Sequence, residues 1–372
     1  MKLSLLEENL SQALSHTSRF VASKVQLPIL NHILFSTDNG RLKLSATNLE
    51  LAINYWLGAK IEQEGSFCLP AKEITEFVSY LPTGPLNLVL KDSNILNLSS
   101  TKTESNFACL PPADFPEIPS LNPETAFEID LPVLTQAINQ IAFAAASDDS
   151  RPVLTAILCI FENEELTLVA TDGFRLSLKS IKLTNPLNLA TEKQTLLIPA
   201  KSLLEIVKLA RNAKKIKIGL TVDLHQLVFV LEDLELVSRL IDGEYPDYQR
   251  IIPKESTTSV YLNRDELIQA IKQSSVFARQ SANVVKLSLK ANSIELSANA
   301  PQIGQNKVSV DARIEGDPIE IAFNYKFISD FLNICTGEEI VIKLNESLSP
   351  GIFQDQSDPQ LTHIIMPVRI QD

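Results

Sequence analysis

Glycine is scarce in this chain, and so are the glycine-rich loops on which many catalytic and nucleotide-binding motifs depend. Only 11 of the 372 residues are glycine, against a usual share of roughly 7%. No GxGxxG, GxxxxGK[ST] or GxSxG pattern occurs in the sequence. These absences argue against a dinucleotide-binding fold, a phosphate-binding P-loop and the nucleophile elbow of the hydrolases.

Histidine and cysteine, the usual metal ligands and nucleophiles, are sparse as well. The four cysteines form no CxxC pair and lie in apolar contexts, so we expect buried free thiols in a reducing compartment. Asp148 and Asp149 are neighbouring carboxylates, but the segment AAASDDSRP is typical of a polar loop. The histidines lack metal-ligand spacing and are interpreted as structural: His16, His32, His225 and His363. The sequence predicts no catalytic residue, no metal and no cofactor.

Long apolar runs are also missing. No stretch approaches the roughly 18 consecutive apolar residues that a membrane-spanning helix requires. The first segment, MKLSLLEENL, turns acidic too early for a secretory signal peptide. We therefore expect a cytoplasmic protein that does not associate with a membrane.

What the sequence does contain is a repeat. LSQAL at 10–14 returns as LTQAI at 134–138 and LIQAI at 267–271. LPAKEITEFVSYL at 69–81 returns as IPAKSLLEIVKLA at 198–210 and, more weakly, as FNYKFISDFLNIC at 323–335. LSAT at 44–47 returns as LVAT at 168–171 and LSAN at 296–299. Three phrases in one order predict three homologous domains of about 125 residues, which we place at 1–123, 124–254 and 255–372.

Each repeat has the pattern of an α+β domain with two helices on antiparallel sheets. Alternating segments such as RLKLSATNLELAI at 41–53 predict strands. Pro70 and Pro199 suit the first turn of a helix, where no N–H donor is needed. The expected core-facing stripe of the helix that begins near Lys201 is Leu203, Ile206, Val207 and Ala210.

Positive charge is concentrated in the predicted helices. The chain has a net charge of −12, but the six helical stretches together carry +6, which leaves −18 elsewhere. Lys201, Lys208, Arg211 and Lys215 follow one another at spacings of 7, 3 and 4, so we expect them on one helix face. The cations expected to face a negatively charged partner are Lys24, Lys72, Lys201, Lys208, Arg211, Lys215 and Lys326.

Open sheet edges at both ends of a three-domain chain favour a head-to-tail pair of chains that closes a ring. Twelve helices about 9 Å apart would line a ring about 35 Å across, with about 25 Å clear inside the backbones. That opening admits a DNA duplex, which is about 20 Å wide. The apolar candidates for the contact between chains are Phe107, Val276 and Phe277.

The chain closely resembles the β subunit of bacterial replicative DNA polymerase III, the sliding clamp. The phrases that carry the resemblance are LPIL at 27–30, LPPADFP at 110–116, ATDGFRL at 170–176, DGEYPDY at 242–248 and IIMPVRI at 364–370. The resemblance implies a homodimeric ring of three clamp domains per chain around double-stranded DNA, without catalysis. It also implies a clamp loader, the replicative polymerase catalytic subunit, and other polymerases and repair proteins as partners.

In the family, these partners dock a short, mostly apolar peptide between the second and third domains. Only the second copy of the repeated corner reads Gly-Phe-Arg, at 173–175, which indicates a specialised site. Apolar side chains would bury the peptide, while Arg175 and Arg369 would guide its polar and acidic groups. The residues implied for this pocket are Leu154, Thr171, Gly173, Phe174, Arg175, Leu176, Pro246, Arg250, Ile251, Pro350, Ile364, Met366, Pro367, Val368 and Arg369.

The chain departs from the family pattern at several positions. Phe174 stands where many relatives have histidine, and Gln371 and Asp372 extend beyond the usual end of the chain. Asp148 lies where some relatives place a DNA-contacting amide, so that contact is not carried over. The segment NAPQIGQN at 299–306 lacks the acidic cluster that some relatives use for ion pairs between chains.

Two other interpretations stay open from the residues alone. A hydrolase or nuclease would use Asp172 and Asp247 as catalytic carboxylates, although the accompanying histidine, cysteine and glycine machinery is missing. A three-domain scaffold that never touches DNA would leave the positive charge of the helices unexplained.

Overall fold

The structure is a computed structural model that describes residues 1–22, 27–91, 94–162, 164–183, 193–210, 213–223 and 225–369. Four residues named above lie outside these ranges: Lys24, Arg211, Gln371 and Asp372. The chain divides into two compact units. The first unit comprises Met1–Leu131 with Glu205–Leu240, and the second comprises Pro132–Leu204 with Ile241–Asp372.

The helices of the described residues come in three pairs along the chain. The α-helices are α1 (Glu7–Thr17), α2 (Ala71–Ser79), α3 (Leu131–Ile141), α4 (Ala200–Leu209), α5 (Arg264–Ala278) and α6 (Tyr325–Ile334). Short 3-10 segments span Ser18–Phe20, Pro28–Asn31, Pro112–Asp114, Pro123–Thr125, Ala142–Ala144, Pro152–Thr155 and Tyr248–Arg250. In α4, Leu203 and Ile206 are fully buried, which confirms the predicted apolar stripe at these two positions.

The strands follow in chain order. The first ten are β1 (Lys2–Leu6), β2 (His32–Asp38), β3 (Arg41–Thr47), β4 (Leu51–Leu57), β5 (Lys60–Gln63), β6 (Ser66–Pro70), β7 (Pro85–Lys91), β8 (Ile95–Ser99), β9 (Glu104–Ala108) and β10 (Phe127–Asp130). The next seven are β11 (Ala156–Glu162), β12 (Glu165–Thr171), β13 (Arg175–Lys182), β14 (Lys193–Pro199), β15 (Lys215–Leu220), β16 (Gln226–Leu231) and β17 (Leu234–Arg239). The last eight are β18 (Thr258–Asn263), β19 (Val284–Leu289), β20 (Ser293–Ala300), β21 (Gly304–Glu315), β22 (Glu320–Asn324), β23 (Glu339–Leu344), β24 (Gly351–Asp355) and β25 (Leu361–Ile365).

The strands form antiparallel sheets in which one strand order recurs. In the first unit the orders are β5-β1-β7-β8-β9 and β10-β15-β16-β17-β4-β3-β2-β6. In the second unit the order is β14-β11-β12-β13-β25-β24-β23-β18-β21-β20-β19-β22. The run β6-β2-β3-β4 therefore returns as β14-β11-β12-β13 and again as β22-β19-β20-β21. This recurrence, with two helices per copy, confirms the predicted α+β repeat.

Two strand pairs join one repeat to the next, and we call them seams. In the first unit β4 pairs with β17, so that Ala52 lies opposite Val237. In the second unit β13 pairs with β25, so that Leu176 lies opposite Ile364. In both seams, the third strand of one repeat's meander pairs with the last strand of the following repeat.

Apolar side chains alternate into the core, as the sequence predicts. In β12, Leu166, Leu168 and Ala170 are almost completely buried. The four cysteines are buried and form no disulfide, which confirms the expectation of buried free thiols. Burial raises the pKa of the Cys68 thiol to about 12, so this group stays protonated and unreactive at neutral pH.

Candidate functional site

The corner between β12 and β13 is built by Asp172, Gly173 and Phe174. The Asp172 carboxylate Oδ1 accepts hydrogen bonds from the backbone N–H of Phe174 (2.9 Å) and of Arg175 (3.0 Å). Such an Asx turn is a common way for aspartate to close a corner. Gly173 has a φ of 92°, a conformation that suits glycine. Asp172 therefore acts as a turn residue, which leaves it no role as a free catalytic carboxylate.

Arg175 does not point freely from the rim. Its expected role in guiding acidic peptide groups stays a prediction. Its side chain is only 11% exposed. The guanidinium donates to Asp172 (3.0 Å), to Asp330 (2.6 Å) and to the carbonyl oxygen of Phe143 (2.6 Å). It also lies over the rings of Phe143 and Phe327, at 5.2 and 4.6 Å from their centroids. With its donors and its faces engaged inside the protein, Arg175 holds the corner in place.

A cavity of about 470 Å³ opens beside this corner, wholly within the second unit. Nine of the fifteen residues implied for the pocket line it: Thr171, Gly173, Arg175, Leu176, Arg250, Ile251, Pro350, Ile364 and Met366. These residues come from four segments far apart in the chain. Their convergence on one concave surface is what a binding site for a short ligand requires.

Three further lining residues were not expected from the sequence: Pro253, Asn345 and Ser349. Pro253 lies two residues after Ile251, in the segment between β17 and β18. Asn345 and Ser349 lie in the loop between β23 and β24, directly before Pro350. Their proximity to predicted residues was the one available signal, because polar loop residues carry no periodic pattern.

The remaining six implied residues lie outside the cavity lining. Leu154 is buried, whereas Pro246 and Arg369 are exposed. Phe174 projects to solvent with 62% of its surface exposed. Pro367 and Val368 are half-buried, and the Val368 N–H donates to the carbonyl oxygen of Ala322.

The floor of the cavity is an apolar cluster. Its buried members are Ala156, Leu158, Val169, Leu176, Leu197, Ile352 and Ile364. Tyr245 and Tyr248, from the segment between β17 and β18, pack against this cluster. The Tyr245 hydroxyl lies 3.4 Å from the carbonyl oxygen of Val169, and burial raises the pKa of this phenol. The floor is therefore apolar and packed against further hydrophobic side chains.

The predicted basic helix face has to be corrected. Helix α4 ends at Leu209, and Lys215 is the first residue of strand β15, where its ammonium lies 3.3 Å from the Glu128 carboxylate. Lys208 forms an ion pair with Glu205 at 2.8 Å. The helix ends early because the chain must turn before β15. Within the described residues this leaves Lys201 and Lys208 as the cations of that helix face.

Three of the expected cations occupy the same place in the repeat. Lys72, Lys201 and Lys326 are each the second residue of their helix, α2, α4 and α6. All three side chains are exposed. The weak third copy of the repeated phrase thus places its lysine at the position expected from the other two.

The apolar residues expected between chains lie at the two chain-end repeats. Phe107 on β9 is half-buried, with its ring 5.1 Å from that of Phe77. Val276 on α5 is 50% exposed, and Phe277 beside it is half-buried. A shallow cavity of about 380 Å³ lies between α5 and β21, lined by residues that include Ala270, Val308 and Val310.

Neither metal-binding clusters nor membrane spans are found among the described residues. Within those ranges, His, Cys, Asp and Glu side chains do not gather in groups of three or more that could hold a metal ion. The α-helices of the same ranges all fall short of the length and apolar character of a membrane span.

Asp148 accepts a hydrogen bond from the N–H of Ser150, as expected of a polar loop.

Three family models match the chain one after another. They are the N-terminal, central and C-terminal domains of the DNA polymerase III beta subunit, matched at residues 1–119, 128–247 and 249–369. The chain therefore belongs to the DNA polymerase III beta subunit family. Its function is that of a sliding clamp, a non-catalytic processivity factor of the polymerase. The resemblance drawn from the sequence is confirmed, and the hydrolase and scaffold interpretations are wrong.

Similar proteins support this along the whole chain. The beta sliding clamp of Bacillus subtilis is 30% identical, over 99% of this chain and 100% of that protein. That of Synechococcus elongatus is 30% identical over 100% of both. The crystal structure of the DNA polymerase sliding clamp from Bacillus subtilis superposes with a TM-score of 0.95 at 30% identity, covering 100% of both chains. That of the Thermotoga maritima beta subunit gives 0.91 at 29% identity, again over 100% of both.

Proposed function

We propose that two copies of this chain close head to tail into a ring around duplex DNA. The observation that carries this proposal is the rule followed by the two seams, β4 with β17 and β13 with β25. In the repeated strand order, β21 takes the same place as β4 and β13, and β9 takes the same place as β17 and β25. Within the described part of the chain, residues 304–311 of β21 pair with β20 alone, and β9 pairs with β8 alone. Strand β21 of one copy is thus free to take β9 of another.

The proposal extends to the boundaries and the partners of the chain. We assign the three clamp domains to 1–123, 124–254 and 255–372. The inner surface would carry Lys72, Lys201 and Lys326, a weak positive lining that tolerates DNA without gripping it. A clamp loader, the polymerase catalytic subunit and other polymerases or repair proteins are the partners we propose. The buried free thiols favour a cytoplasmic location.

The proposed ring is tested by comparing retention of the protein on circular DNA and on the same DNA after it has been cut. The protein is loaded by the clamp loader onto nicked circular DNA, and the circle is then cut at one site with a restriction enzyme. A ring is expected to stay on the circle at high salt and to leave the linear form within minutes. Retention on linear DNA that falls steeply with salt instead would indicate ordinary electrostatic binding and would overturn the proposal.

We further propose that the cavity beside the corner binds a short, mostly apolar peptide of the partner proteins. Support comes from its apolar floor and from Met366, a lining residue that is 38% exposed. Phe174, which is 62% exposed, lies on the adjoining corner. Burial of two large apolar side chains contributes roughly 3–6 kcal/mol before association costs. We therefore expect a single linear peptide to bind near micromolar concentration. Titration with a fluorescent Gln-Leu-Ser-Leu-Phe peptide tests this, and no saturation by 1 mM peptide would overturn it.

A further inference from the structure

One face of β13 carries a row of polar residues at the seam with β25. The residues are Arg175, Ser177 and Lys179, and each reaches a partner that follows residue 320 in the chain. The Ser177 hydroxyl lies 2.6 Å from Nδ1 of His363, and both residues are fully buried. The Lys179 ammonium donates to both carboxylate oxygens of Asp358 at 2.6 Å. Arg175 reaches Asp330 on α6, as described above.

This polar row is supported from a second side. Gln140 on α3 donates to the Asp358 carboxylate at 2.9 Å. The His363 ring stacks on Phe331 with a centroid distance of 5.3 Å and an interplanar angle of 3°. Buried polar groups that are paired in this way give one defined arrangement, because any slip would leave a charge or a hydroxyl unsatisfied.

The opposite face of β13 builds the cavity. Leu176 projects to that side, directly opposite Ile364 of β25, and both line the cavity. The N–H of Met366 donates to the carbonyl oxygen of Phe174 at 2.9 Å, which ties the edge of the cavity to the corner. The two walls of the cavity therefore come from the two strands that the polar row joins.

The other seam shows that such a row is not needed to pair the strands. At the offset of the repeat, Leu51, Ile53 and Tyr55 of β4 stand where β13 has its polar row. Their partners on β17 are Ser238 for Leu51, Leu236 for Ile53 and Leu234 for Tyr55. That seam pairs over five residues with largely apolar contacts. Among the described residues, the seam beside the cavity carries three charged or hydrogen-bonded links on one face.

We propose that Ser177, Lys179 and Arg175, with their partners His363, Asp358 and Asp330, are positioning residues for the peptide pocket. They hold β13 and β25 in one register, so that Leu176 on one wall and Ile364 and Met366 on the other keep a constant separation. This inference rests on the proposed peptide-binding function. It adds that the affinity of the pocket depends also on Ser177 and Lys179, which are not among the residues that line the cavity.

The experiment compares substitutions inside the row with the same substitutions just outside it. Ser177→Ala and Lys179→Met remove two links. Ser180→Ala and Lys182→Met are the matched controls on the same strand: the Ser180 hydroxyl bonds to Thr167 of β12, and Lys182 lies beyond the residues paired with β25. Asp330→Asn removes the third link at a carboxylate that is 41% exposed, and it replaces Lys179→Met if that variant fails to fold.

Two readouts separate the inference from the proposed function. Amide hydrogen exchange of the segment 361–369, measured without peptide, reports whether the seam is held. Titration with the fluorescent Gln-Leu-Ser-Leu-Phe peptide reports the pocket. We expect the row variants to exchange at least tenfold faster and to bind at least fivefold more weakly, while both controls stay within twofold of wild type.

The other outcomes are decisive as well. Row variants that exchange like wild type would show that the row does not hold the seam. Variants that exchange faster but bind with wild-type affinity would reduce the row to a stabilising contact. If the wild-type protein itself fails to bind the peptide, the proposed pocket function is overturned, and the exchange rates still decide whether the row holds the strands.

Discussion

Gly173 combines two constraints at one residue of the corner. Its φ of 92° disfavours any side chain, and a Cβ there would lie 3.0 Å from a guanidinium nitrogen of Arg151. That guanidinium donates to the carbonyl oxygen of Asp172 at 3.0 Å, so it cannot withdraw without loss of a hydrogen bond. The close contact and the backbone conformation therefore act together.

We expect Gly173→Ala to lower the free energy of unfolding by about 1–3 kcal/mol. Gly58→Ala is the matched control, because a Cβ at Gly58 meets nothing within 4 Å. Calorimetry of the two variants should give a lower unfolding temperature for Gly173→Ala alone. Equal unfolding temperatures would mean that the corner relaxes without strain.

Met366 and Arg175 illustrate different contributions to the proposed pocket. Met366→Asp places a carboxylate on the apolar wall, where a docked peptide would desolvate it, so we expect peptide binding to fall at least a hundredfold while unfolding and dimerisation stay unchanged. Arg175→Ala removes a cation from two carboxylates and two rings, so we expect reduced stability together with weaker binding. Peptide titration and calorimetry on both variants measure this contrast. Undiminished affinity of Met366→Asp would remove the cavity from peptide binding.

His363 links stability to pH. Burial, reinforced by the nearby Arg175 cation, lowers the pKa of His363 to about 3, against about 6.5 in an unfolded chain. The imidazole is therefore neutral in the folded protein above pH 3, and unfolding below pH 6.5 takes up a proton. The stabilisation is complete above pH 6.5 and is lost as the pH falls from 6.5 towards 3.

We expect His363→Gln to lose this part of the pH dependence. Its unfolding temperature should fall less steeply than that of wild type between pH 6.5 and 4, although it starts lower at pH 7. Calorimetry across that range measures the difference, with His225→Gln as a control at a surface position. Parallel curves for His363→Gln and wild type would show that this imidazole is not the group that titrates.

From the sequence it was easier to predict which residues belong to the site than what each residue does there. The repeated corner singled out Gly173, Phe174 and Arg175, and two of these line the cavity. The role of Arg175 depends on Phe143 and Asp330, which lie 32 and 155 residues away along the chain. No local pattern reveals which aromatic rings and carboxylates a cation will meet, so a rim position and a buried anchor look alike in the sequence.

At the scale of elements, strong periodicity predicted the elements but not their ends. The repeated phrases placed six helices correctly, because apolar spacing and the order of phrases agree in all three copies. The sequence predicts a helix through Lys215 because basic residues continue at helical spacing beyond Leu209. Charge on an exposed face costs little in either conformation, so the spacing of lysines does not mark where a helix stops.

The equivalent helix positions give a test of the proposed DNA path. We expect Lys72→Glu, Lys201→Glu and Lys326→Glu, combined, to reduce retention on circular DNA after loading, because each chain loses three positive charges and gains three negative ones. The control combination Lys60→Glu, Lys217→Glu and Lys290→Glu makes the same charge change at exposed residues outside the helices. Retention across a salt series compares them. Equal loss in both combinations would indicate a general charge effect.

At the scale of the whole molecule, the proposed assembly would depend on the sheet edges at β9 and β21 and on a few apolar side chains. We expect Phe107→Asp and Phe277→Asp to give folded monomers, since a charge at an apolar contact goes unpaired. Val222→Asp is the control, because Val222 is 81% exposed and outside the expected contact. Sedimentation at micromolar concentration separates the species. Dimers in both phenylalanine variants would place the interface elsewhere.

Strand β9 has a further consequence, which concerns the time before two chains meet. During synthesis the first repeat emerges well before the third, so β9 is exposed while unfinished chains are crowded together. A free strand edge can recruit wrong partners and start aggregation. The strand is only five residues long, reads Glu-Ser-Asn-Phe-Ala and carries one large apolar side chain. Its brevity and polarity make it a poor template for other chains, so the proposed partner strand would have to supply a matching edge together with an apolar contact for Phe107.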